Sequence, residues 1–179
     1  LETALVAGIL ERTVSRVVQY HDAGRRDEAR RLASLVLSRS LSDIETLGDS
    51  PDVTPAVLVG AAWLLASIER QDDAEMLVAE ALEREPDGLE PLFLRAVLRG
   101  GRLRDAHVAS EEDARLALAD LARIASGMSR GSIWWWRAEV ERLEILVALN
   151  RDLVRVGDRI ERWRRQFPSL GGADFSRRL

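Results

Sequence analysis

The chain has 179 residues, 46% of them hydrophobic, a net charge of −4, no cysteine and no lysine, so all 26 of its strongly basic residues are arginine. This composition excludes wholesale disorder, disulfide frameworks, thiolate catalysis and cysteine-ligated zinc. It also excludes Schiff-base lysine chemistry and the lysine of a phosphate loop, and the negative balance speaks against nucleic acid as a partner. The charge is uneven: from Arg130 onward there are 11 arginines against 7 acids, and before it 15 against 23.

The apolar spacing is helical from the start. In the first segment Val6, Ile9, Leu10, Thr13, Val17 and Tyr20 fall three or four apart and form one stripe. Gly24 is placed to end that helix, since glycine takes positive φ without cost. Ala29, Leu32, Ala33, Val36, Leu37, Leu41 and Ile44 make the stripe of a second helix, with Asp27 and Glu28 where acids favour a helix start. The turn residues of "GDSPDVTP" mark a loop.

The longest uncharged stretch, residues 53–68, has 16 residues and contains Pro55. A membrane span needs about 20, so a buried core helix is expected and no membrane span. "RQDD" is read as the turn into a second helix closed by Pro86. "LEPLFLRAVLR" follows as a helix, with "GGRLRD" as its turn and "AHVASEEDARLALADLARIAS" as its partner. The last pair runs from Ser132 to Phe167 and turns at Arg151 and Asp152. In its second helix Leu153, Val156, Ile160, Trp163 and Phe167 share one face. "ADFSRRL" closes the chain as a cap. Nothing at the start has the form of a signal peptide, and because the chain opens at Leu1 it is expected to be the mature or excised part of a longer protein.

The unit is thus helix, short polar turn, helix, seen four times, and turns this short force antiparallel neighbours. Each pair exposes an apolar face that only stacking on the next pair can bury. Ala29, Ala74 and Ala106 follow the turns, where small side chains allow close crossing. The expected fold is all-α, a right-handed α-solenoid forming a single domain over residues 1–179. Its repeats span about 2–47, 53–86, 88–127 and 131–168, with a cap at 173–179.

The second repeat resembles a tetratricopeptide repeat. Ala62 and Leu65 fall at the small and large packing positions of the first helix. Ala74 and Ala81 match the small positions of the second, and Pro86 the terminating proline. Tyr20, Gly24 and Ala29 resemble the repeat's turn, and the closing "RRQFPSLGGADFSRRL" is similar to the tail of certain bacterial proteins of this type. The departures are an alanine spacing of 45 and then 32, against about 34 in the repeat, and Val156 where the fourth repeat would carry alanine.

The resemblance implies a non-catalytic scaffold that binds a partner protein or peptide in a concave groove, or assembles edge to edge, with a homo-oligomer as one outcome and no cofactor. It places Val14, Val18 and His21, Val59 and Trp63, Arg95 and Arg99, and Glu141 and Ile145 on the groove. Arg95 and Arg99, at i and i+4, are suited to a peptide carboxylate; an intramolecular ion pair with nearby acids is the competing reading. No repeated lysine and asparagine pattern of the carboxylate-clamp type is present. The alternatives are a sensor or oligomerisation segment of a bacterial regulator and an all-helical enzyme.

Trp134, Trp135 and Trp136 sweep roughly 200° of a helix, so they cannot all enter one core. Trp136 shares a stripe with Val140, Leu143 and Val147 and belongs inside. Trp134 points with Arg137 and Glu141, and Trp135 with Glu139 and Arg142, which makes either a candidate contact residue; packing of all three is the alternative. His21 and His107 lie far apart without metal-ligand spacing, and Asp72, Asp73, Glu111 and Glu112 sit at helix starts where they need no catalytic role. No phosphate loop, GxSxG or dinucleotide fingerprint occurs.

Overall fold

The computed structural model describes the backbone of residues 2–45, 53–104 and 110–179, and the side chains of residues 12–38, 53–101 and 110–179. Among the described residues all regular structure is helical: α1 Glu2–Asp22, α2 Arg26–Glu45, α3 Pro55–Ser67, α4 Gln71–Arg84, α5 Leu89–Arg104, α6 Glu111–Gly127, α7 Ile133–Ala148, α8 Leu153–Gln166 and the single turn α9 Ala173–Ser176. The chain divides into two compact units, residues 1–94 and 95–179, with the boundary inside α5.

In the first unit α1 packs on α2, and α3 packs on α1, α2 and α4. The sequence of α3 accounts for its position. Leu58 to Leu65 are all buried, and a helix that is apolar all round must be covered all round. Pro55 at its first turn suits a fixed φ. Gly60 lets α3 approach α1, because a Cβ there would stand 3.2 Å from Val14 Cγ2. Ala62, Ala74 and Ala81 are fully buried and Ala29 nearly so, as their packing positions require. Gly24, at φ 70°, ends α1, and its neighbour Arg25 stacks over Tyr20 at 4.7 Å. The next turn is Ile68 to Arg70, with Glu69 at φ 67°; Gln71, Asp72 and Asp73 therefore open α4 rather than forming the turn. Ala106, the "AHVA" segment and most of the "GDSPDVTP" loop lie outside the described residues. So do the side chains of Val6, Ile9, Leu10, Leu41 and Ile44.

In the second unit α7 is the central element, packed on α6, α8 and α9. Ser110 and Ser132 cap α6 and α7 by accepting from the backbone N–H groups of Asp113 and Trp135. "GGRLRD" does not begin as a turn: α5 runs through Gly100 and Gly101 to Arg104. The reason is local packing. A Cβ at Gly100 would meet Ile145 Cδ1 of α7 at 2.8 Å, so the glycine permits a helix crossing instead of ending a helix. Phe175 in α9 is buried against α7, and its neighbourhood forms the terminal cap.

Candidate functional site

Five of the nine nominated contact residues are inside. Val18, Val59 and Trp63 are buried in the first unit, Trp135 and Glu141 in the second. None of the five presents a side chain to a partner, which corrects their assignment to an open groove.

Trp63 is buried because α1 and the start of α5 cover it. The His21 ring lies 5.1 Å from it and Phe93 lies 6.3 Å away. Its indole N–H meets no acceptor among the described residues. His21 is half-buried beside it.

Trp135 and Glu141 are buried because their polar faces of α7 are covered by elements that bring arginines. Trp135 meets Trp163 edge-on at 5.3 Å and Phe167 at 5.8 Å, both carried by α8 and the residue after it. Glu139, on the same face, is buried yet paired: Arg142 Nη1 donates to it at 2.6 Å and Arg159 Nη1 of α8 at 3.1 Å. Glu141 is wholly buried and accepts from Arg178 Nη2 at 2.8 Å, while Arg178 also forks onto Glu144 at 2.7 and 2.8 Å. Burial opposes the charge on Arg178, but Glu144 and Glu141 outweigh it and hold the guanidinium above its ordinary value. The periodicity of α7 shows the polar residues on these faces; it contains no sign that distant arginines neutralise them.

Trp136 joins the same cluster, edge-on to Trp163 at 5.4 Å and stacked on Phe175 at 6.4 Å. Gly171, at φ 80°, lies so close that a Cβ would stand 2.6 Å from Trp136 Cγ. Two expected core members are outside: Val147 and Leu153 are exposed, at the end of α7 and the start of α8.

The remaining four nominated residues keep some contact with solvent. Arg95 donates from Nε and Nη2 to the two carboxylate oxygens of Asp120, each at 2.8 Å. Arg99 Nη1 stands 3.7 Å from the same carboxylate. The intramolecular reading of this pair is the one seen, with Arg95 committed to Asp120 and Arg99 only loosely drawn to it. Trp134 is half-buried under the Arg137 guanidinium, 4.8 Å from its ring centroid, next to exposed Ile133.

An open depression of about 640 Å³ on the first unit is lined by Arg12, Thr13, Ser15, Arg16, Gln19 and Leu32. Among the described residues no group of three His, Asp or Glu side chains is placed to hold a metal ion; His107 lies outside them. No helix of the described residues is long and apolar enough to cross a membrane. No family model, no curated protein and no solved structure matches this chain.

Proposed function

We propose that the chain is a non-catalytic protein-interaction scaffold of the tetratricopeptide type: a right-handed α-solenoid of four antiparallel pairs that presents a surface to a partner protein or peptide. The observation that carries this reading is the position of α3, packed on its own partner α4 and on both helices of the preceding pair. Contacts of that kind are expected where successive pairs stack to bury faces they cannot bury alone. Ala62, Ala74 and Ala81 support it, because all three are fully buried, where small side chains let neighbouring helices approach closely.

The partner surface on the second unit centres on Trp134 and Arg137. A half-buried tryptophan under a guanidinium offers a flat apolar contact with a charged rim, the composition that binding hot spots favour. Apart from that centre, Arg99 is a cation that its neighbour Asp120 engages only at 3.7 Å. The test is affinity purification with quantitative mass spectrometry, comparing wild type with Trp134→Ala and with Arg95→Glu/Arg99→Glu, each checked for native helicity. The scaffold reading expects a partner recovered by wild type and lost from Trp134→Ala. Equal recovery of every protein by all three would overturn it.

A further inference from the structure

Residues 1–94 hold nine arginines against eighteen acids. This unit has carboxylates to spare, and Arg25, Arg30, Arg70 and Arg84 take Glu28, Glu69, Asp73 and Glu80. Arg12 and Arg16 do not follow them. Neither forms an ion pair or a side-chain hydrogen bond among the described residues. They stand four apart on α1, where like charges repel across one turn. Arg16 lies 6.0 Å from the centroid of the Tyr20 ring, which Arg25 covers more closely at 4.7 Å. No described carboxylate neutralises the pair.

The two arginines border the same space. Arg12, Ser15, Arg16 and Gln19 follow helical spacing on one exposed face of α1 and line the depression of about 640 Å³. Buried Thr13 and half-buried Leu32 of α2 complete the described lining, and none of these residues is acidic. The set is rich in donors: two guanidinium forks, a hydroxyl and a carboxamide. An acid-rich unit thus keeps two cations one turn apart, uncompensated, at the edge of a concave surface.

We propose that this depression binds a phosphate monoester, the phosphoserine or phosphothreonine side chain of a partner protein. Charge complementarity selects the group. A carboxylate carries one negative charge and two oxygens, and one guanidinium fork satisfies it. A phosphoryl group carries a charge of about −2 and three acceptor oxygens, enough to accept from both arginines and from Ser15 or Gln19 as well. The two arginines leave the backbone only about 6 Å apart along the helix axis, at 1.5 Å per residue, a gap that two such long side chains close over one group. The openness of the depression selects the source. A side chain presented from another surface can enter it, whereas a free small ligand is largely enclosed by its pocket. Arginine clusters are a recurrent solution to this kind of recognition. The inference rests on the scaffold reading for the nature of the partner and gives the first unit a phosphorylation-dependent contact.

The test is a titration of the full chain with N-acetyl-O-phosphoserine methylamide at low ionic strength, read on the arginine Nε–Hε signals by NMR. The pH is held above the second phosphate pKa of about 6. Saturable shifts of the Arg12 and Arg16 signals are expected. Affinity should fall roughly tenfold or more in Arg12→Gln and in Arg16→Gln alike, because each guanidinium gives charged hydrogen bonds to the same group. Both positions are exposed and glutamine is a good helix former, so native helicity is expected of both variants. Arg155→Gln, on a side chain 84% exposed in the second unit, should leave the affinity unchanged. The N-acetylglutamate analogue should bind more weakly than the phosphoserine probe, and inorganic phosphate no more tightly. Absence of saturable shifts, a natively folded single variant that binds like wild type, or equal affinity for the glutamate analogue would overturn the site. Tighter binding of inorganic phosphate would make the free ion the ligand and overturn the assignment to a partner side chain. None of these results touches the Trp134 comparison, so the two readings fail separately.

Discussion

Arg178 Nη2 donates to the Glu141 carboxylate at 2.8 Å between two side chains that keep 6% and 0% of their surface. The second-last residue of the chain therefore neutralises a carboxylate in the middle of α7. Removing one member of such a pair leaves a buried charge without its counter-ion, which costs about 3–5 kcal/mol. Arg178→Ala is expected to lose that much in urea unfolding. Arg178→Met/Glu141→Leu should recover most of it, because the half-buried Glu144 left behind can rehydrate. A single variant as stable as wild type would show that the tail is not held by this pair.

Gly171 and Gly157 make a contrasting pair. Gly171→Ala forces a Cβ into the Trp136 ring at a positive φ and should destabilise by about 1–3 kcal/mol. Gly157→Ala adds a methyl to open space inside a helix and should stabilise by about 0.5–1 kcal/mol. Thermal unfolding in about 1 M salt, where charge contacts are screened, checks both; the same sign for the two would refute the packing described.

The tryptophans should separate by burial. Trp136→Ala removes a residue 2% exposed and is expected to cost about 3–5 kcal/mol. Trp134→Ala, at a half-buried position, loses part of its apolar burial and the cation–π contact with Arg137 and is expected to cost about 1–2 kcal/mol. Denaturant midpoints that fall equally would place Trp134 in the core.

Arg95 and Arg99 differ in geometry toward one carboxylate. A double-mutant cycle should give Arg95 with Asp120 a coupling of about 1–3 kcal/mol. Arg99 with Asp120, at 3.7 Å, should give less than about 1 kcal/mol. Reversed couplings would return Arg95 to the list of residues free to meet a ligand.

Glu112 has its pKa lowered, first by the hydrogen bond from Arg115. A carboxylate depressed in the folded state contributes stability that is present above the ordinary glutamate range and lost as the pH falls through its lowered midpoint. A carbon-detected NMR titration should place that midpoint below the usual glutamate value and return it upward in Arg115→Ala. An unmoved midpoint would dismiss the pair.

Much of the helical pattern was legible because it rests on local rules. The stripe through Thr13 and Val17, the glycine stop at Gly24, the acids opening α2, α4 and α6, and the small residues Ala29, Ala62, Ala74 and Ala81 all act within a turn or two of the backbone. The reading of Gly100 and Gly101 as a turn failed for a physical reason. A glycine that breaks a helix and a glycine that admits a neighbouring helix are the same letter, and only Ile145 distinguishes them. The groove residues failed in a related way. Polar neighbours on a helix face signal solvent unless something distant neutralises them, and Arg159 and Arg178 do so for Glu139 and Glu141 from 20 and 37 residues away.

Local spacing and backbone preference, carried by the sequence alone, determined that the chain is helical and which residues open and end most of its helices. The tertiary structure alone decided which faces are buried, because burial of a charged or aromatic side chain depends on what another segment brings to it. Trp135, Glu139 and Glu141 became core when α8 and the tail supplied rings and guanidinium groups, and Val154 stayed exposed because nothing among the described residues covers it.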